Sequence, residues 1–131
     1  MNIALLLKPK ALVAFVYNDY TVRQTIEKLE HYHYSAIPMI DREGKYVGSI
    51  SEGDLLWYIK DQEQFSLDDM EEVSVTEVVR YRNYQPIRIN AKVEDLLSIV
   101  IQQNFVPVID DRDMFIGIVT RQDVMTHLIK K

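Results

Sequence analysis

The sequence predicts an α+β fold in which two β-α-β-β-α motifs pack about a pseudo-twofold axis, and three observations lead there. First, the chain repeats itself: Ser35-Ala36-Ile37-Pro38-Met39-Ile40-Asp41 returns as Asn104-Phe105-Val106-Pro107-Val108-Ile109-Asp110. Second, Val47-Gly48-Ser49-Ile50-Ser51-Glu52-Gly53-Asp54 returns as Ile116-Gly117-Ile118-Val119-Thr120-Arg121-Gln122-Asp123 at the same spacing. A duplicated unit changes how every residue in it is read, so the repeat comes before any motif. Third, 131 residues with 47% hydrophobic content suffice for one compact core without metal or disulfide support.

The N-terminal run Ile3-Ala4-Leu5-Leu6-Leu7 is too short to span a bilayer and has no basic leader. It is expected to form a buried helix, followed after Lys8-Pro9-Lys10 by a strand from Ala11 to Val16. Phe15 to Tyr17 then leads into a helix from Thr21 to about His33, with Thr21 as N-cap and Val22, Ile26 and Leu29 on one face. Ala36 to Ile40 and Tyr46 to Ile50 read as a hairpin around the turn-forming Asp41-Arg42-Glu43-Gly44-Lys45. Ser51 caps the next helix, whose apolar stripe includes Leu55, Leu56, Tyr58 and Ile59. The second copy repeats this order from Ile87 to Ile129. Its first helix aligns through Val93, Leu97 and Val100, which requires a loss of two residues before the following strand.

Between the copies, Asp61 to Tyr84 sets Leu67, Met70 and Val73 among acidic residues at helical spacing, with a further helical turn expected at Thr76 to Val79. Without Gly, Ser or Pro enrichment it reads as an ordered connector. The expected division is residues 1–66 for the first motif with its N-terminal helix, and 67–131 for the connector helix and second motif.

The absence of cysteine excludes disulfides, thiolate metal sites and cysteine nucleophiles. A formal charge of −5 disfavours general binding to nucleic acid or anionic membranes, which depends on clustered Lys and Arg. The expected setting is cytoplasmic. His31 and His33 are two apart, so they do not share a helical face, and the acidic run Asp68-Asp69-Met70-Glu71-Glu72 lacks the spaced ligands and glycine of a calcium loop. No metal site is expected. Neither a nucleophile elbow, a zinc-protease motif nor a Walker phosphate loop occurs, so an enzyme is not expected.

Chemistry concentrates where each second hairpin strand enters its helix. A Ser or Thr there offers a hydroxyl beside free backbone N–H groups and the positive end of the helix dipole, a favourable place for phosphate. An Asp three residues later accepts hydrogen bonds from a ribose diol, as acidic residues do in dinucleotide sites. Ser51 with Asp54, and Thr120 with Asp123, supply this pair twice. Taken singly, each is also a plain N-cap; recurrence in register favours the binding role.

Ile37-Pro38, Gly48, Ser51 and Asp54, matched by Val106-Pro107, Gly117, Thr120 and Asp123, make the chain resemble a tandem pair of cystathionine-β-synthase (CBS) domains over nearly its whole length. The resemblance implies a stand-alone regulatory module, a disc-like homodimer, and adenine nucleotides (AMP, ADP, ATP or cyclic di-AMP) bound in clefts between the motifs. It further implies that Thr120 and Asp123 face Phe15, Val16, Ala36, Ile37 and Pro38. Ser51 and Asp54 would likewise face Ile87, Ile89, Phe105, Val106 and Pro107. Arg121 follows Thr120 where Glu52 follows Ser51, so the Asp123 cleft is the expected phosphate site, with Lys8 and Lys10 in reach. Arg80, Arg82 and Arg88 are candidates to supply positive charge to the other cleft. Trp57 and Tyr58, with Val124, Met125, Leu128 and Ile129, are expected to contribute to the dimer surface. No cofactor is required beyond the regulatory ligand, and an unidentified protein partner would receive the signal. The alternative is a ligand-independent scaffold of the same fold whose clefts are filled by side chains.

Overall fold

The computed structural model describes residues 2–62 and 65–130, as α+β architecture with two small sheets. The chain gathers into two compact units that do not follow sequence order. One contains Ala14–Glu43 and Val47–Asn83; the other contains the N-terminal segment through Val13, Gly44–Tyr46 and the chain from Tyr84 onward. In space, then, the N-terminal segment groups with the second repeat and most of the connector with the first, a partition different from a cut between residues 66 and 67.

In the unit of the first repeat, the sheet order is β2 (Val16–Tyr17), β3 (Ala36–Ile40), β4 (Tyr46–Ser51). Helix α1 (Val22–Tyr32) starts at a reciprocal cap: Gln24 N–H donates to Thr21 Oγ1 at 3.1 Å and Thr21 N–H to Gln24 Oε1 at 2.8 Å. Val22, Thr25 and Leu29 turn inward, and the buried Thr25 hydroxyl donates to the Thr21 carbonyl at 3.0 Å. The helix stops where His33 takes a left-handed conformation, φ 56°. Helix α2 spans Glu52–Asp61 and helix α3 Leu67–Glu72. Residues 63 and 64 of the connector lie outside the described residues; beyond them, α3 carries the helix that the spacing of Leu67, Met70 and Val73 predicts. A 3-10 turn at Val75–Glu77 follows α3, and Val75 and Val78 join the core formed by Val16, Val22, Leu29, Ile37, Met39, Ile50 and Leu55. Val22 N–H donates to the Val73 carbonyl, and Val75 N–H to that of Tyr20.

In the unit of the second repeat, the sheet order is β1 (Lys8–Pro9), β7 (Phe115–Thr120), β6 (Phe105–Ile109), β5 (Ile87–Arg88). Helices α4 (Val93–Val100) and α5 (Arg121–Ile129) complete it. Its core is Ile3, Leu6, Ile87, Leu96, Val100, Val106, Val108, Val119 and Val124. The buried Gln103 amide is fully engaged: Nε2 donates to the carbonyls of Gln85 and Phe105, both at 3.1 Å, while Oε1 accepts from Gln85 N–H at 2.6 Å.

Each repeat carries a proline inside a fully buried strand. Pro38 and Pro107 have no N–H to give, and the parallel partner pairs only with the two residues beyond: Val16 and Tyr17 with Met39 and Ile40, Ile87 and Arg88 with Val108 and Ile109. This accounts for leading strands of two residues. The two-residue loss in the second copy falls in the helix: α4 has 8 residues against 11 in α1, and the link to the following strand is one residue longer.

The N-terminus differs from its expectation. A single 3-10 turn at Ile3–Leu5, capped by Asn2, replaces the buried helix, and a second at Lys10–Leu12 takes the first two residues of the expected strand, of which only Val16 is in a strand. Pro9 disfavours helical conformation at Lys8 and has no N–H to extend a ladder, so the apolar run breaks into short pieces. Within the run Ile3 to Leu7, Ile3 and Leu6 are buried and Leu5 faces solvent, as does Leu12 beyond it.

Candidate functional site

The two hydroxyl-carboxylate pairs begin alike. Strands β4 and β7 end on residues with extended backbone, Ser51 (φ −108°, ψ 161°) and Thr120 (φ −91°, ψ 148°), and their side chains cap the helices that follow. Asp54 N–H donates to Ser51 Oγ and Asp123 N–H to Thr120 Oγ1, each at 3.1 Å. The first helical N–H is used equivalently: Glu52 donates to the Ser35 carbonyl, Arg121 to that of Asn104, both at 2.9 Å.

The carboxylates then diverge. Asp54 is 3% exposed and closed in by backbone: Oδ2 accepts from Ser51 N–H at 3.0 Å and Oδ1 from Tyr81 N–H at 2.9 Å. Asp123 has a side chain 38% exposed, and its carboxylate is met by the Lys8 ammonium at 3.7 Å. An acid buried with both oxygens occupied serves the fold; a half-exposed one beside an exposed cation can exchange partners.

Lys8 reaches Asp123 because β1 pairs antiparallel with the edge of β7, Lys8 opposite Ile118 and Pro9 opposite Gly117. Gly117 has φ +153°, and a Cβ there would run into the Lys8 carbonyl oxygen. The residue just before it, Ile116, is the extra residue of a bulge, since Val108 pairs with Gly117 and Ile109 with Phe115. In the other unit, the Arg80 guanidinium lies over Gly48 and donates from Nη1 to the Val47 carbonyl at 3.4 Å.

The remaining expected site residues fall as follows. Arg121 is half-buried, with Nε donating to the Val100 carbonyl at 2.7 Å, so its side chain bonds to the end of α4. Lys10 is half-buried with Nζ near Gly44. Arg88 binds the Asp110 carbonyl and the Asp113 carboxylate, and Arg82 is exposed. In the first unit, Val16 and Ile37 are fully buried, Ala36 and Pro38 are buried, and Phe15 is half-buried against Tyr17. In the second unit, Val106 is fully buried and Ile87, Phe105 and Pro107 are buried, with Phe105 stacked on Tyr84 at 4.9 Å between ring centroids. Ile89 is partly buried against the same core. Of these side chains, Val16 and Ile37 belong to the core of the first unit, and Ile87 and Val106 to that of the second.

An apolar groove of about 510 Å³ runs between α1 and α2, lined by Ile26, Leu29, Leu55, Leu56 and Ile59 with Glu30, His33 and Glu52 at its rim; neither Ser51 nor Asp54 lines it. Of the expected surface residues, Val124 is buried, Tyr58 half-buried, and Trp57, Met125, Leu128 and Ile129 exposed. Among the described residues no cluster of His, Asp or Glu is arranged to hold a metal ion, and no helix is long and apolar enough to cross a membrane.

The contact of Tyr81 with Asp54 has no side-chain signature, and sequence reasoning missed it. The Lys8–Asp123 pair did have a signal: a basic residue before a proline, and a glycine in the strand it lies against.

Comparisons with known proteins bear on family and fold. The CBS domain family model matches twice, over residues 12–61 and 72–130. Among solved structures, a hypothetical conserved protein from Geobacillus kaustophilus is 29% identical with a TM-score of 0.88, the match covering 99% of this chain and 97% of that one. CbpB in complex with c-di-AMP is 26% identical with a TM-score of 0.87, over 99% and 85% of the two chains. CbpB from Listeria monocytogenes, also in complex with c-di-AMP, is 25% identical with a TM-score of 0.85, over 97% and 94%. A comparison with curated protein sequences finds no match.

Proposed function

Since the chain belongs to the CBS domain family and carries two copies in tandem, we propose that it is a non-catalytic regulatory module that binds an adenine nucleotide and passes its occupancy to a partner protein. The observation that carries this reading is the contrast between the two carboxylates. Asp54 is sealed by Ser51 and Tyr81, whereas Asp123 lies half-exposed beside Thr120 with Lys8 as its partner. The ligand therefore engages the N-terminal end of α5: the Thr120 hydroxyl donates to phosphate at the positive end of the helix dipole, and Asp123 accepts from the ribose.

Cyclic di-AMP is the first ligand to test, because two similar structures are CbpB complexes with it; AMP, ADP and ATP follow. Occupancy acts on the partner only through different affinities for two states of the module. The module works in the cytoplasm as a homodimer, through exposed apolar residues that include Leu56 and Trp57 on α2 and Met125 and Ile129 on α5. Sedentary monomer at all concentrations in analytical ultracentrifugation would remove the dimer from this proposal.

Calorimetric titration of the four nucleotides against the native protein, Asp123→Ala and Thr120→Ala tests the site. Binding is expected in the native protein and weakened by at least about tenfold in both variants, each tenfold step being about 1.4 kcal/mol. Undiminished binding by both variants would overturn the site. The scaffold reading is favoured by the fully engaged Asp54 end; it prevails if no adenine nucleotide raises the melting temperature, since a ligand specific to the folded state must do so.

A further inference from the structure

We infer that Lys8 makes the α5 end selective for a phosphorylated nucleoside over the free nucleoside, by balancing the charge of Asp123. This deepens the nucleotide reading above and rests on it. A site that holds a ribose diol and a phosphate near one helix turn contains a conflict: the carboxylate that accepts from the diol repels the phosphate. Like charges a few ångströms apart in a partly desolvated setting oppose each other strongly.

The cation at this carboxylate is Lys8. Arg121, the basic residue next to Thr120, directs Nε to the Val100 carbonyl, and Lys10 carries its ammonium near Gly44. The Lys8 ammonium stands 3.7 Å from Asp123 Oδ2.

The backbone holds it there. Lys8 and Pro9 pair with Ile118 and Gly117, and Gly117 leaves no side chain on the face where the Lys8 carbonyl approaches. The root of Lys8 is therefore fixed while its four-carbon stem, 52% exposed, is free to turn. A flexible ammonium can swing between carboxylate and phosphate, keeping the local charge balanced in both states. The first repeat handles its acid otherwise, with the Tyr81 N–H bound to a buried Asp54.

The test uses native protein, Lys8→Met, Lys8→Arg, Asp123→Asn and the double variant Lys8→Met/Asp123→Asn. Each is titrated with AMP, cyclic di-AMP and adenosine at low and at physiological salt. Circular dichroism and melting check that each folds, as expected for replacements at half-exposed side chains. Lys8→Met should weaken the phosphorylated ligands by at least about fivefold, and more at low salt, while adenosine changes little. Lys8→Arg should retain native selectivity. Asp123→Asn alone weakens every ligand through the ribose contact, so it serves as the reference: in that background Lys8→Met should weaken the phosphorylated ligands by clearly less than it does in the native protein, because the charge that Lys8 balances is already gone. Unchanged phosphorylated-ligand affinity in Lys8→Met, or an equal loss on Lys8→Met in both backgrounds, overturns the inference and leaves the nucleotide site standing. Failure of the native protein to bind any of the three removes both.

Discussion

Gly117 and Lys8 meet across the face of Gly117 that carries no side chain, where a methyl group would overlap the Lys8 carbonyl oxygen and crowd Leu7. The pairing of β1 with β7 is thus conditional on a single absent carbon.

Gly117→Ala should detach the N-terminal strand. It combines a backbone angle that side chains rarely adopt with a direct collision, together costing about 2 kcal/mol. Hydrogen exchange should show Lys8 and Ile118 amides losing protection while those of α1 keep theirs. Unaltered exchange at Lys8 would show that the strand tolerates the methyl group.

Asp54 and Asp123 should respond to removal with losses of very different size. Asp54→Ala removes a buried carboxylate and leaves the Ser51 and Tyr81 N–H groups without it, a loss of about 3 kcal/mol. Asp123→Ala removes a half-exposed ion pair, a loss of under about 1 kcal/mol. Urea unfolding midpoints distinguish the two; equal shifts would contradict the contrast between a structural and an available acid.

Thr120→Ala should cost about 1 kcal/mol through the lost cap on Asp123 N–H, and Thr120→Ser should restore it. Ligand titration of the Ser variant separates capping from binding: a hydroxyl that also donates to the ligand should return affinity together with stability.

Asp110 adds an acid-sensitive element at the second hairpin. N–H groups of Arg112 and Met114 donate to its carboxylate at 2.9 and 3.0 Å and hold its pKa below the ordinary carboxylate value. The folded state therefore gains from the ionised form. That gain is complete above the unfolded carboxylate pKa of about 4 and disappears as pH falls through the lowered folded value. Native protein should exceed Asp110→Asn in stability at pH 7, with the difference shrinking toward pH 3. A difference that grows on acidification would reverse the sign assigned here.

Periodicity and caps in the sequence were enough to locate α1, α2, α4, α5 and both hairpins. Thr21, Ser51 and Thr120 each cap a helix because a hydroxyl at an extended residue satisfies a local N–H, a relation confined to four consecutive residues. The N-terminus was not legible in the same way. Five apolar residues suit a helix, yet the pieces are fixed by Pro9 and by Gly117, more than a hundred positions away. Inside the candidate site, the residue types of the two repeats are equivalent, but what separates Asp54 from Asp123 is a backbone N–H on Tyr81 and an ammonium on Lys8. Neither distant contact is encoded by the repeat itself. The role of Arg121 turned on a similar point, its partner being the Val100 carbonyl at the shortened end of α4.

Because residues up to Val13 group with the chain from Tyr84 onward, deleting them removes a strand from the sheet of the second repeat. Such a deletion would first loosen β7 and the start of α5, while α1, its near neighbour in sequence, would feel it last. Severing the chain between residues 66 and 67 would likewise leave two fragments, each missing a piece of its own sheet or core.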